Sequence, residues 1–141
     1  MSTIKVNNLQ NVSGSSSSTP EQIHAGRAKA WVNCDASGNI SSDYNVSTVG
    51  DNGTGDLTVN FDTDLADTNY CMTGGGIYPN GPGTGFGIVS IKEGDSSGNP
   101  DTKTVSACRV KIGFAQPAGN SNNTIQVVDT HAEVYFVFHG N

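Results

Sequence analysis

DYNVSTVGDNGTGDLTVNF, residues 43–61, is the stretch that decides the fold. Its centre holds Asn52-Gly53, a dipeptide that readily adopts the positive φ angles of a type I′ hairpin turn. On the C-terminal side Leu57, Val59 and Phe61 alternate with polar residues, as they do in a strand with one buried face. The stretch therefore predicts an antiparallel hairpin that pairs residues 44–49 with residues 57–61.

Strand-like patterns continue on both sides of this hairpin. Outward from it, the predicted strands cover residues 27–33, 69–74, 86–91, 103–114 and 124–139. About seven or eight short strands with frequent turn residues indicate an all-β fold, an antiparallel β-sandwich that is jelly-roll-like. The last strand is apolar on both parities, so we expect its even positions in the core and its odd ones, Tyr135 and Val137, near a subunit contact. The predicted core positions of that strand are Val134, Phe136 and Phe138.

The N-terminal part has a different composition. Residues 1–18 form a predicted extended arm that ends in a Ser-rich linker, and residues 19–141 form the single β-sandwich domain. A short N-terminal helix is predicted over residues 20–25, because Thr19 and Gln22 have the spacing of a capping box. Gly26 is expected to close that helix in the left-handed conformation.

Composition excludes several classes of protein. A chain of 141 residues suits one domain, and 34% hydrophobic with 14% charged residues is unlike a helical bundle. The net charge of −6 and seven dispersed Lys and Arg residues argue against nucleic acid as a partner. No apolar run approaches the roughly 20 residues that span a bilayer, so we expect no membrane insertion. The opening MSTIKVNNLQ lacks the features of a signal peptide, and synthesis in a cytoplasm is expected.

Residues that could carry chemistry are scattered. The cysteines have no CxxC spacing, and we expect buried or half-buried thiols. The histidines are too dispersed for a metal signature, and the carboxylates at 62, 64 and 67 read as an acidic turn, with calcium as the weaker alternative. No catalytic residue, metal site or cofactor is predicted. The residues in question are Cys34, Cys71, Cys108, His24, His131, His139, Asp62, Asp64 and Asp67.

Two further features leave alternatives open. The glycine-rich stretch 74–87 is the most irregular part of the pattern, and it is either an exposed receptor-binding loop with Tyr78, Asn80 and Phe86 or a set of irregular turns. Aromatic side chains on a sheet can also stack on sugar rings, although a lone tryptophan more often fills the edge of a core. The candidates for sugar contact are Trp31, Tyr44, Tyr70 and Tyr78.

Two blocks resemble a known family. STPEQIHAGRAKAWVN (residues 18–33), preceded by KVNNLQNVSGSSS, is similar to the opening of bacteriophage virion structural proteins of the tail-fibre type. DYNVSTVGDNGTGDLTVNFDTDLADTNYCM (residues 43–72) is similar to their next block. The resemblance covers the first half of the chain and departs from the pattern at Cys34, where an aromatic residue is common.

The resemblance implies a non-enzymatic virion protein, made in the host cytoplasm and assembled as a homotrimer. It further implies an appendage or tail-fibre component whose arm, with Ile4, Val6 and Leu9, attaches to other virion proteins. Contact with a host-surface glycan or protein is a further expectation. The alternatives are a capsid decoration or cement protein and a carbohydrate-binding module.

Overall fold

The computed structural model describes residues 2–77, 86–92, 103–115, 125–127 and 133–140. Within these ranges one short helix is accompanied by strands, all of whose pairings are antiparallel. In chain order the elements are β1 (Leu9–Gln10), β2 (Ser17–Ser18), α1 (Pro20–Gly26), β3 (Ala28–Cys34), β4 (Ile40–Tyr44), β5 (Val46–Asp51), β6 (Asp56–Phe61), β7 (Cys71–Ile77), β8 (Phe86–Ile91), β9 (Ala107–Ala115), β10 (Ile125–Val127) and β11 (Glu133–His139).

The larger strands form two sheets. The four-stranded sheet has the order β4-β3-β11-β7, and the five-stranded sheet has the order β10-β9-β6-β5 with β8 also paired to β9. This arrangement confirms the predicted all-β, sandwich-like fold. β11 is a central strand of its sheet, as expected for the most apolar segment of the chain.

The core lies between the inner faces of the two sheets and follows from alternation along each strand. Val134, Phe136 and Phe138 of β11 are fully buried, which confirms the predicted core positions. Three rings, Phe61, Tyr70 and Phe138, meet edge to face with centroids 5.1–5.9 Å apart. Other buried core residues are Ala30, Val32, Cys34, Val46, Leu57, Val59, Cys108, Val110 and Ile112.

The central hairpin is confirmed in its pairing and corrected in its details. β5 pairs with β6, but Tyr44 ends β4 and pairs with Trp31 in the other sheet. Asn45, with a φ angle of 57°, lies between the end of β4 and the start of β5. The loop between β5 and β6 covers residues 52–55, and positive φ angles occur at Gly53 and Gly55. A two-residue type I′ turn at Asn52-Gly53 was therefore the wrong prediction, because the strands are joined by a longer loop.

The predicted long C-terminal strand is two strands in different sheets. Residues 125–127 form β10 beside β9, whereas residues 133–139 form β11 between β3 and β7. Likewise, β9 begins at Ala107 rather than Lys103, which makes only an isolated bridge to Cys108. Periodicity did not separate these segments because both halves are apolar and β-prone.

At the N-terminus the capping box is confirmed and the linker is not. The Gln22 amide N–H donates to the Thr19 hydroxyl at 3.2 Å, and the Gln22 side chain accepts from the Thr19 amide at 2.9 Å. Gly26 does not take the left-handed conformation, since the chain leaves the helix through an extended Arg27. Residues 17–18 of the predicted linker pair with residues 9–10 of the arm in a small hairpin.

The glycines of β7 form a regular strand, which corrects the prediction of an irregular stretch from Gly74 onward. A Cβ atom on Gly74 would lie 2.3 Å from the carbonyl oxygen of Tyr135 in β11. A Cβ atom on Gly87 of β8 would lie 2.5 Å from the carbonyl oxygen of Gly76. β7 and β8 belong to different sheets, so the two sheets meet here backbone to backbone, which only glycine permits.

Candidate functional site

The outer face of the four-stranded sheet exposes a row of large side chains. Tyr44 of β4 lies opposite Trp31 of β3, which lies opposite Val137 of β11. Trp31 is 36% exposed and Tyr44 is 51% exposed, whereas Val137 is half-buried. Residues directly opposite each other in a sheet have Cβ atoms about 5 Å apart. Two aromatic side chains therefore stand next to each other on this surface.

A second row runs parallel to the first. Asn33 lies opposite Ser42 on one side and Tyr135 on the other. Tyr135 is 42% exposed, and its ring covers Gly75, where a Cβ atom would come within 3.0 Å of the Tyr135 Cε2 atom. The Asn33 side-chain amide donates to Glu133. We call Trp31, Tyr44, Tyr135 and Val137 together the aromatic face.

One end of the aromatic face is basic. Lys29 has the same parity as Trp31, and a register shift between Ala28 and Ala30 interrupts the alternation before Arg27. Arg27 nevertheless lines the same pocket as Lys29 and Tyr44. The Lys29 ammonium donates to the backbone carbonyl of His24 at 2.6 Å. Partial removal from water and the nearby charge of Arg27 lower the pKa of Lys29. Within the described residues Arg27 forms no ion pair.

A pocket of about 300 Å³ opens between this basic end and the turn after β6. Asn45 joins the two sides of this pocket: its side chain accepts a hydrogen bond from the Thr63 amide at 2.8 Å and donates one to the Lys29 carbonyl at 3.1 Å. The Asp64 side chain comes from the acidic turn. The lining residues that carry polar or aromatic groups are His24, Arg27, Lys29, Tyr44, Asn45, Thr63 and Asp64.

The outer face of the five-stranded sheet carries a different polar group. Asp56 is only 5% exposed, and Arg109 holds its carboxylate through two hydrogen bonds of 2.6 and 3.0 Å. Lys111 and Lys92 lie 2.7 and 3.2 Å from the same carboxylate. Burial by itself would raise the pKa of Asp56, but these three cations outweigh it and hold the pKa well below its usual value. The cluster is a structural ion-pair network.

The arm presents apolar side chains to solvent. Ile4 is 88% exposed, and Val6 and Leu9 are also exposed. Together with Ile23 of α1 they line a groove of about 660 Å³. The arm residues therefore lie in one groove, whereas Tyr135 and Val137 lie on the aromatic face.

The remaining predicted residues separate into three groups. Tyr78, Asn80 and His131 lie outside the described residues, and Phe86 begins β8 but its side chain is also outside them. Tyr70 is a core residue whose hydroxyl donates to the carbonyl of Thr104 at 3.0 Å, so it cannot reach a sugar.

The three cysteines are free thiols in strands. Cys34 and Cys108 are buried as expected, but Cys71 is exposed on β7, contrary to the prediction of a buried or half-buried thiol. Burial raises the pKa of Cys34 to about 12 and also raises the pKa of Cys108. Among the described residues no group of three His, Cys, Asp or Glu side chains could hold a metal ion. Over the same ranges no helix is long and apolar enough to cross a membrane.

Sequence reasoning missed Asn45 and Asp56. Neither has a local signal, since Asn45 looks like a strand residue and Asp56 looks like part of a turn. Comparison with known proteins adds no relative, because no family model, curated protein or solved structure matches the chain.

Proposed function

We propose that the protein is a non-enzymatic structural component of a phage virion, a homotrimeric tail-fibre or appendage subunit attached through its N-terminal arm. The observation that carries the proposal is the exposure of Ile4, Val6 and Leu9 on a segment that contributes nothing to the core. Apolar side chains on an extended segment gain free energy when a partner surface covers them.

The division of the molecule supports an attachment role for the arm. Every residue of the core cluster lies at or beyond Ala30, so the sandwich needs no residue of the arm for its packing. The arm is held together by its own small hairpin and lies beside α1. An anchor of this kind can be occupied by a partner without disturbing the sandwich.

The proposed trimer contact is on β11. Tyr135 and Val137 project from the outer face of a central strand, whose other face is in the core. A sister subunit that covered them would bury the second side of the most apolar strand. Light scattering of the purified protein at micromolar concentration tests this contact, and a stable monomer would contradict it.

The arm is tested by three matched variants. The triple variant Ile4→Ser, Val6→Ser, Leu9→Ser removes the apolar groups, the double variant Asn7→Ala, Asn8→Ala changes only polar ones, and deletion of residues 2–18 removes the whole segment. We expect all three to keep the wild-type thermal transition, because the core is intact. The triple variant and the deletion should be absent from purified virions by quantitative mass spectrometry, whereas the double variant should be present at the wild-type copy number. Normal incorporation of the deletion variant would show that the arm is not the anchor.

A capsid decoration protein would use the same arm at a different place. Gold labelling of intact virions distinguishes the two positions, since an appendage subunit labels the tail and a decoration protein labels the head.

A further inference from the structure

We infer that the basic end of the aromatic face is a binding site for a carboxylate-bearing carbohydrate, with Trp31 and Tyr44 as the stacking surface and Arg27 and Lys29 as the anion-binding groups. This inference deepens the host-surface contact expected of the proposed function. It concerns the purified protein alone, so it is testable independently of any virion.

The stacking surface is available to a ligand. Trp31 and Tyr44 are opposite each other across β3 and β4, and both are substantially exposed. Among the described residues the close ring contacts are those of the core trio, so neither of these two rings stacks on a third aromatic ring. A pair of exposed rings on one sheet surface matches the apolar face of a sugar ring.

The charges at this end favour an acidic ligand. The whole protein carries a net charge of −6, yet Arg27, Lys29 and His24 converge on one pocket with a single carboxylate, Asp64. Arg27 makes no ion pair within the described ranges, and its guanidinium can therefore take a carboxylate in a charge-assisted hydrogen bond. A carboxylated sugar meets both the cations and the rings.

The other polar groups favour a sugar over a phosphate ligand such as a nucleotide. Asp64 and the Tyr44 hydroxyl offer acceptors for sugar hydroxyl donors, and Asp64 repels a doubly charged phosphate more strongly than a singly charged carboxylate. A polyanion such as single-stranded DNA binds more tightly with each of its phosphates that the protein neutralises. Two cations within an acidic protein neutralise few phosphates and therefore contribute little affinity for DNA.

Most of the site lies on the β4 side of the sheet, and Trp31, which is opposite Val137, borders the proposed trimer contact. The pocket lies at the β4 edge of the sheet, whereas Tyr135 and Val137 lie on β11, beyond β3. A ligand at Tyr44 and Arg27 therefore lies on the side away from β11, and Trp31 is where it comes nearest to the predicted subunit contact.

Trp31 is the single tryptophan of the chain, so its fluorescence reports on the site directly. The probe is an oligosaccharide of four galacturonic acid units, compared with the carboxyl-reduced neutral tetramer and with an oligothymidylate of similar length. We expect a saturable change in Trp31 fluorescence with the acidic tetramer, at least about tenfold weaker binding of the neutral one, and no saturable binding of the oligothymidylate.

Four variants that keep Trp31 assign the contacts. Arg27→Gln should weaken binding of the acidic tetramer about tenfold and bring it close to that of the neutral tetramer. Tyr44→Ser should weaken both tetramers to a similar degree, because it removes stacking and not charge. The controls are Lys111→Gln, which removes one positive charge from the opposite sheet, and Ile77→Ser, which removes an exposed apolar side chain from β7 at the far end of the same sheet. Both should bind as the wild type does.

Three results of the ligand titrations with the wild-type protein would overturn the inference. They are no saturable response to the acidic tetramer in the millimolar range, equal binding of the acidic and neutral tetramers, and preferential binding of the oligothymidylate. Binding that survives Arg27→Gln but is lost in Lys111→Gln would place the site on the other sheet and would equally contradict it. A contradiction of the sugar-binding inference leaves the test of the arm unaffected, because virion incorporation and sugar binding are measured on different preparations.

Discussion

The two sheets bury equivalent inner faces and differ on their outer ones. On the five-stranded sheet the polar side chains bond to each other: Asp56 to its cations, Asn60 to Thr48 at 3.0 Å, and Asn52 to Thr58 at 2.8 Å. On the four-stranded sheet Trp31, Tyr44 and Tyr135 remain exposed. A surface whose polar groups are already paired gains little from a partner, whereas exposed aromatic groups gain when they are covered. From this comparison we expect the outer face of the five-stranded sheet to contribute to stability, and we propose the outer face of the four-stranded sheet as the surface for recognition.

The substitution expected to change stability most is Asp56→Asn, on the outer face of the five-stranded sheet. The substitution keeps the shape of the side chain but leaves three cations around a neutral amide, so we expect the free energy of unfolding to fall by about 2–3 kcal/mol. Urea denaturation measures the change. Asp43→Asn is the matched control, because Asp43 is exposed on the edge strand β4, and it should change stability by less than about 0.5 kcal/mol. Equal effects of the two substitutions would contradict the structural role of the cluster.

The same carboxylate predicts a smaller, pH-dependent effect. Because the pKa of Asp56 in the folded protein lies below its ordinary value of 3.8, its contribution to stability is present above that value. The contribution is lost as the pH falls from there toward the folded pKa. Urea unfolding at neutral pH and at about pH 3 should therefore show a larger difference between wild type and Asp56→Asn at neutral pH. A difference that does not change with pH would rule out this linkage.

The smallest change in stability is expected for a substitution on the aromatic face. Tyr44→Ser should change the free energy of unfolding by no more than about 0.5 kcal/mol, since the side chain is half exposed on an edge strand. Tyr70→Phe is the contrasting tyrosine: it removes a hydroxyl that donates to the Thr104 and Ala107 carbonyls, and it should cost about 1 kcal/mol. A melting temperature that falls more for Tyr44→Ser than for Tyr70→Phe would mean that the aromatic face is part of the stable core.

Much of the fold was predictable because alternation is a local property. The bounds of β8 and the buried positions of β3 and β11 follow from the order of apolar and polar residues alone. The end of β4 was not predictable in the same way, because Asn45 takes a positive φ angle that is uncommon for a non-glycine residue. Its side chain bonds to Lys29 and Thr63, which are distant in sequence.

The candidate site could be recognised only once the strand pairing was known. The parity of Lys29 and Trp31 can be read along one segment, but the predicted hairpin placed Tyr44 against β6. Its actual partner is Trp31 in the other sheet, and this pairing is what brings the two rings together. The Asp56 cluster was missed for the same reason, since its cations at 92, 109 and 111 come from strands that are distant in sequence.

The contact between Gly76 and Gly87 has a practical consequence for engineering. At Gly76 and Gly87 the strands that flank residues 78–85 approach each other main chain to main chain. We therefore expect this contact to set the positions of residues 77 and 86, which stand on either side of that segment. Foreign peptides, epitopes or affinity tags inserted there would start and end at a constant separation, provided that both glycines are retained.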